Sequence, residues 1–364
     1  MPRLPPPPPH TNLLSLDLKA AEQFVRDLGW PQYRARQTLR WIYRKRARSV
    51  EQMTDLSQEE RRRLDAVGRI GRFDHCDVMR SMDGSRKFLM RLDDGLLVES
   101  VLIPESRWLT LCLSTQVGCT LDCGFCLTGR MGLKRNLNAH EIVDQVLTVQ
   151  DRLEPGETLT NLVLMGMGEP LANLDAVSEA ITRLTNTTWG VGISARRITL
   201  STAGLATRLK EVAALGINLA VSLNATSNEQ RNRLMPAINR MHPLEELLNA
   251  CRAYPLSPRR RLTFEYVLLA GINDTEQDAR RLAKLLTGMQ CKVNLIPFNE
   301  FPGTPYRRPE EATVLHFQSI LKRAAFDVFI RNSKGRDVLG ACGQLGQVPP
   351  GRPAAALTLA EIGC

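Results

Sequence analysis

The chain has 364 residues, 43% of them hydrophobic and 24% charged, with nine cysteines and a formal net charge of +10 from 48 basic and 38 acidic side chains. That length supplies core for one large α/β unit and a smaller appendage, and it excludes a peptide hormone or a disulfide knot. No run approaches the roughly 18 apolar residues of a membrane span, so no membrane partner is expected, while the basic surplus favours an anionic partner such as nucleic acid.

Residues 1–12 open with the run Pro5 to Pro9, which has no backbone donors and is expected to be a disordered, solvated start. This is not the layout of a secretory signal, so the cytoplasm is the expected location. Over residues 13–72 apolar positions recur at helical spacing, for example Ala35, Leu39, Ile42 and Tyr43, with breaks at Gly29-Trp30-Pro31 and Asp55-Leu56-Ser57. The spacing predicts a small helical domain. Its helix over about 33–49 carries Arg34, Arg36, Arg40, Arg44, Lys45, Arg46 and Arg48 with Trp41 and Tyr43 interleaved, and residues 1–80 hold 16 basic against 10 acidic side chains. Such a face suits RNA phosphates; the alternative is a charged outer surface over an Ala35, Leu39 and Ile42 core.

Residues 73–104 change to short alternating stretches, with Asp83-Gly84 and Asp94-Gly95 at the turns, and predict a β-meander linker. Over 105–345 short β-branched runs alternate with helical ones, at 109–114, 161–165, 197–201, 219–223, 263–269, 293–297 and 327–330. Parallel strands with crossover helices follow, and six or seven strands predict an α/β fold built on a partial (β/α)6-type barrel, with its site at the carboxyl ends of the strands. Residues 346–364, which include Cys364, read as a flexible tail without assigned function.

Cys119, Cys123 and Cys126 stand at C-x3-C-x2-C spacing just after the first barrel strand. Three thiolates on one loop can hold three irons of a cubane cluster and leave the fourth open to a ligand, whereas a structural zinc site is closed by four. A zinc site completed by His140, or a group of buried thiols, is the alternative. The next strand ends in Gly166-Met-Gly-Glu-Pro170, where glycine lets backbone approach a ligand at Gly168 and Glu169 can accept a bond from an ammonium group. Ser201, the run Ser222-Leu223-Asn224, and Asn299 follow at later strand ends. Singly each is a turn or cap residue; together they outline a pocket.

The cysteine spacing, with Phe125 before the last cysteine, resembles the radical S-adenosylmethionine superfamily. That resemblance implies a [4Fe-4S] cluster whose open iron chelates S-adenosylmethionine, and a 5′-deoxyadenosyl radical formed by reductive cleavage. Thr110-Leu-Cys112, Gln116-Val-Gly-Cys119, Gly129, Arg135-Asn-Leu137, Gly166-Met-Gly-Glu-Pro170, Leu200-Ser-Thr202 and Ala341-Cys-Gly-Gln-Leu345 extend the match. Together they resemble the RlmN family of dual-specificity RNA adenine methyltransferases, over about residues 12–346.

The family resemblance implies methylation of carbon 2 of adenine in 23S rRNA, at the peptidyl-transferase region, and in tRNA, 3′ of the anticodon. It implies Cys342 as methyl carrier, Cys112 as the resolving thiol that forms a transient disulfide with it, and Glu99 as proton acceptor. It implies Gly168, Glu169, Ser201, Ser222, Leu223, Asn224 and Asn299 as contacts to S-adenosylmethionine, an electron donor such as flavodoxin or ferredoxin, and a monomer. By local sequence alone, Glu99 reads as a solvated strand glutamate and the two thiols as buried and inert. Asn224 stands where relatives often carry histidine, and Phe298 where they often carry tryptophan or tyrosine. The rival readings are the Cfr-type activity at carbon 8 of the same rRNA adenine, and an RNA-binding protein with a redox-sensing iron–sulfur centre.

Overall fold

The computed structural model of the protein describes residues 10–106 and 108–346. Pro5 to Pro9 and the tail beyond Gly346, with Cys364, lie outside the described residues.

A short parallel pair, β1 (Thr11–Asn12) and β2 (Gly68–Arg69), brackets the helices α1 (Leu18–Asp27), α2 (Tyr33–Tyr43) and α3 (Gln58–Asp65). Asp17 caps α1 by accepting from Ala20 N at 2.6 Å, and α3 starts with a reciprocal box between Ser57 and Glu60. Each such cap contributes about 1 kcal/mol. The helix expected to run to residue 49 ends at Tyr43. Arg46 takes a φ of 53°, a left-handed step that a right-handed helix cannot include, and Ala47 N turns back to donate to Trp41 O.

That turn redirects much of the basic face. Arg46 and Arg48 each reach Asp151 at 2.8 Å, and Arg34 pairs with Glu60 at 2.7 Å. Arg36, Arg40, Arg44 and Lys45 are exposed, as Arg46 and Arg48 are; Arg36 and Lys45 stand 3.9 Å from Glu22 and Asp55, and Lys45 Nζ is 3.4 Å from the centre of the Trp41 ring.

Strands β3 (Cys76–Arg80), β4 (Arg86–Arg91) and β5 (Leu97–Pro104) form the antiparallel meander, turning at Gly84 and Gly95 with φ of 85° and 82°. Only glycine adopts that backbone freely. The meander is not a detached linker, because β5 pairs with β6 (Leu109–Cys112) and sets Val101 opposite Cys112. A two-residue pair, β7 (Gln116–Val117) with β8 (Arg135–Asn136), frames the cysteine loop. The barrel continues through β9 (Leu159–Leu164), β10 (Ile198–Thr202), β11 (Asn218–Ser222), β12 (Leu262–Leu268), β13 (Cys291–Pro297) and β14 (Val328–Ile330).

These seven strands, β6 and β9 to β14, are parallel neighbours in one ten-stranded sheet whose far edges are β3 and β14. The expected partial α/β barrel is therefore the fold, extended by the meander. Helices α4 (Leu127–Arg130), α5 (Ala139–Gln150), α6 (Leu174–Thr185), α7 (Leu209–Ala214), α8 (Asn228–Leu234), α9 (Pro236–Met241), α10 (Leu244–Arg252), α11 (Glu276–Leu286) and α12 (Glu311–Arg323) complete it. Among the described residues no helix is long and apolar enough to cross a membrane.

One buried cluster runs without a break from Leu14 and Leu39 of the helical unit to Leu111, Ile142 and Phe264 of the barrel. Arg183, buried on α6, fastens the two together by donating to Leu14 O at 2.6 Å, Ser15 O at 3.0 Å and Tyr43 Oη at 3.0 Å. A second cluster, with Leu121, Phe125, Met235, Phe298 and Tyr306, lies under the cysteine loop.

Candidate active site

Strand β6 ends at Cys112, and after β7 the chain bends into the loop of Cys119, Cys123 and Cys126. Gly118 makes the bend at a φ of 79°, with Gly132 O so near that a side chain would collide with it. The loop is held by Cys126 N donating to Cys123 O at 3.0 Å and Gly124 N donating to Leu234 O at 3.0 Å. All three cysteines line a cavity of about 160 Å³ at the carboxyl ends of the strands.

Burial pushes the Cys119 thiol up to about 12 and the Cys123 thiol well above its ordinary value. A metal guest would have to displace those protons and supply the positive charge that holds the sulfurs as thiolates. No group of three or more metal-binding side chains among the described residues is arranged around a single ion. Three cysteines on one loop, all lining one cavity, are a donor set in which each thiolate can take its own iron, and it fits the expected [4Fe-4S] group.

The same cavity is lined by Gly168, Glu169, Ser201, Ser222, Asn224 and Asn299. Glu169 is buried, and burial pushes its carboxyl up, against the amides of Ala203 and Leu171, which donate to it at 2.7 and 3.0 Å. Asn224 holds a left-handed φ of 57° and accepts from Val267 N at 2.8 Å. Leu223 is the exception in this set. Its side chain is fully buried in the core and only its backbone, donating to Glu265 O at 2.9 Å, supports the cavity wall.

Cys342 lies in a tight loop after β14 that is gripped from several sides. Asn299 Nδ2 donates to Cys342 O at 3.0 Å, Leu127 N to Gly343 O at 2.7 Å, Thr128 Oγ1 to Leu345 O at 2.6 Å, and Gln344 Nε2 to Glu300 O at 2.6 Å. Cys342 lines the cysteine cavity and also a second one, of about 670 Å³, which contains Cys112. Both thiols are free. Burial pushes Cys112 up to about 12, with Cys342 adding to the effect and Arg331 opposing it; burial likewise raises Cys342 against Arg331.

Glu99 lines neither cavity. It is buried on β5, on the face that carries Val101 and hence Cys112, with Lys87 Nζ 3.0 Å from its Oε2 and Gly346 N donating to the same oxygen at 3.0 Å. It is not the solvated glutamate that local sequence suggests.

Two residues that the sequence did not single out line these cavities, Glu265 the first and Arg331 the second. Glu265 on β12 accepts from Ser201 Oγ at 2.7 Å and Ser222 Oγ at 3.4 Å, and its other oxygen is 3.6 Å from Arg331 Nη1. Arg331 lines the cavity with both thiols. Glu265 sits in the middle of β12 between apolar neighbours like any strand residue and offered no local signal, while Arg331 sits in a mixed loop, its one signal being its place just past the end of β14.

A family model for the radical SAM superfamily matches residues 113–284, and one for the ribosomal RNA large subunit methyltransferase N-terminal domain matches residues 11–70. The chain is 51% identical over 314 residues to the dual-specificity RNA methyltransferase RlmN of Desulfosudis oleivorans, an alignment covering 86% of this chain and 84% of that one. It is 48% identical to the protein of the same name from Desulfotalea psychrophila, over 92% of this chain and 96% of the relative. The crystal structure of a radical SAM methyltransferase from Sphaerobacter thermophilus superposes with a TM-score of 0.86 at 41% identity, covering 92% of this chain and 99% of the other.

Proposed function

The chain belongs to the RlmN family of radical SAM RNA methyltransferases, and on that footing we propose that it methylates carbon 2 of adenine in two RNAs. The targets are 23S rRNA at the peptidyl-transferase region and tRNA at the adenine 3′ of the anticodon. The enzyme's cofactors are a [4Fe-4S] cluster and S-adenosylmethionine. The observation that supports the finer reading best is the position of Cys342, which lines the cavity of the three cluster cysteines and the cavity of Cys112 at once.

When bound, the cluster and S-adenosylmethionine supply a 5′-deoxyadenosyl radical. Cys119, Cys123 and Cys126 hold the irons, and Gly168, Glu169, Ser201, Ser222, Asn224 and Asn299 seat the cofactor, with Leu223 supporting that wall through its backbone. Carbon 2 of adenine is not nucleophilic and cannot displace a methyl group from a sulfonium, so a methyl carrier on the protein is required. Cys342 takes that part, accepting a methyl from one S-adenosylmethionine while a second serves as the radical source. Once the Cys342 methyl has given up a hydrogen atom it would add to carbon 2 and join Cys342 to RNA, and Glu99 would take the ring proton as one electron leaves the adduct. Cys112 would then attack the Cys342 sulfur, a disulfide forming as the carbon–sulfur bond breaks and its carbon takes up a proton, and an external thiol reductant would reopen the disulfide. An electron donor such as flavodoxin or ferredoxin, a monomeric state and a cytoplasmic location belong to the same reading.

Mass spectrometry of nucleosides from ribosomal and transfer RNA, after reaction with the anaerobically reconstituted and reduced protein, tests it. 2-Methyladenosine in both RNAs is the expected result. 8-Methyladenosine in rRNA alone would replace it with the Cfr-type activity.

A further inference from the structure

The cavity that ends at Cys112 and Cys342 runs along the seam where the two ends of the barrel wall, β6 and β14, face each other. It is lined by the two thiols, Met165 and Arg331, by Trp108, just ahead of β6, by Phe329 within β14, by Lys292 on β13, and by Lys334. Trp108 is 44% and Phe329 54% exposed. Two large rings left in water at a cavity mouth carry apolar area that a partner would cover. Among the described residues three cations, Lys292, Arg331 and Lys334, line the cavity with one acid, Glu105. Lys334 Nζ also donates to Pro104 O at 2.5 Å, which fixes it across the seam.

Strand geometry sets the scale. Trp108 precedes Cys112 by four residues, about 13 Å along an extended strand, and Phe329 precedes Arg331 by two, about 7 Å. A base reacting at Cys342 therefore lies beyond the reach of Trp108, and the rings serve whatever adjoins that base. Exposed π faces flanked by cations are the chemistry that holds single-stranded nucleic acid, with bases stacked on rings and phosphates beside ammonium groups. An apolar peptide would cover the rings and leave the cations uncompensated.

We propose that this groove binds the single-stranded nucleotides flanking the target adenine, which stack on Trp108 and Phe329 while Lys292 and Lys334 meet their phosphates. The proposal rests on the adenine methyltransferase reading, and it gives these side chains a grip on RNA, not a part in the chemistry.

The test is fluorescence anisotropy of the reconstituted full chain with a short labelled single-stranded RNA containing the target adenine, and with the same RNA made abasic at the flanking positions. Trp108→Ala and Phe329→Ala should each weaken binding of the intact RNA about tenfold, and Trp108→Phe should restore most of it. Abasic flanks should weaken wild-type binding but leave the double alanine variant unchanged. Both variants should still accept a methyl on Cys342 from S-adenosylmethionine without RNA, read by peptide mass spectrometry, which separates lost grip from lost fold. Undiminished affinity in both alanine variants, or an equal abasic penalty in wild type and double variant, would overturn the proposal. Failure of the methyltransferase reading shows separately, as wild-type reactions that yield no methylated adenine, because the groove is read by binding.

Discussion

Lys87 and Glu99 form a buried ion pair, 3.0 Å between Nζ and Oε2 with each side chain 5% exposed, and between them they hold both ends of the Cys342 loop. Lys87 Nζ donates to Leu339 O at 3.3 Å, and Glu99 Oε2 accepts from Gly346 N at 3.0 Å. Removing one partner of such a pair strands a charge in the interior, at a cost of about 3 kcal/mol or more, whereas removing both is far milder. We predict that Lys87→Met lowers stability by about that amount and that Lys87→Met/Glu99→Gln recovers most of it, measured by anaerobic urea unfolding. The double variant should still accept a methyl on Cys342 yet yield no methylated adenine, since the proposed proton acceptor is gone.

The two thiols should fail in different ways. Cys342→Ala is expected to keep cluster binding and S-adenosylmethionine cleavage while methylated adenine disappears from nucleoside digests. Cys112→Ala should instead trap RNA on the protein, visible as a denaturation-resistant species by gel. Undiminished RNA methylation in Cys342→Ala would remove it as the carrier.

The pH dependence follows from burial. Cys112 is pushed up to about 12, so near neutral pH only a small fraction is thiolate, and that fraction grows about tenfold per pH unit until the thiol titrates. The rate of Cys112–Cys342 disulfide formation should therefore rise across pH 7–9, followed by quenched-flow alkylation and peptide mass spectrometry. Arg331 opposes the burial effect on both thiols, so Arg331→Met should slow the step at each pH and Arg331→Lys should recover part of the rate. A flat profile would mean that thiol ionisation does not limit resolution.

Salt dependence should separate two kinds of arginine in the helical unit. Arg40 and Arg44 are exposed, and replacing either with Ala should lower the slope of log affinity for RNA against log salt by about 0.7–0.9 for each phosphate that the side chain neutralises. Arg46 is engaged with Asp151, so Arg46→Ala should leave that slope unchanged. Deleting the whole unit would not be a clean test, because Leu14 and Leu39 share one core with the barrel and their removal would open it.

The barrel strands were legible because each is a short apolar, β-branched run bounded by turn residues, and the seven runs fall within one or two residues of β6 and β9 to β14. The end of α2 was not, because a left-handed step at Arg46 depends on Ala47 burying and on Asp151 far along the chain. The cysteine loop declared itself through local spacing. Glu265, Arg331 and Lys87 did not, since each acquires its surroundings only when distant strands meet; Lys87 and Leu339, for instance, lie 252 positions apart. The resemblance supplied Glu99, and the fold supplied the ion that accompanies it.

The loop bearing Cys342 docks on the cysteine loop through hydrogen bonds such as Thr128 to Leu345, which span 217 residues. During synthesis Cys119, Cys123 and Cys126 leave the ribosome long before Cys342 exists, and closing so long a stretch of chain is among the slower steps of folding. A growing polypeptide thus offers its three loop cysteines without the segment that later packs beside them, and the proposed methyl carrier joins them only once Cys342 has been made.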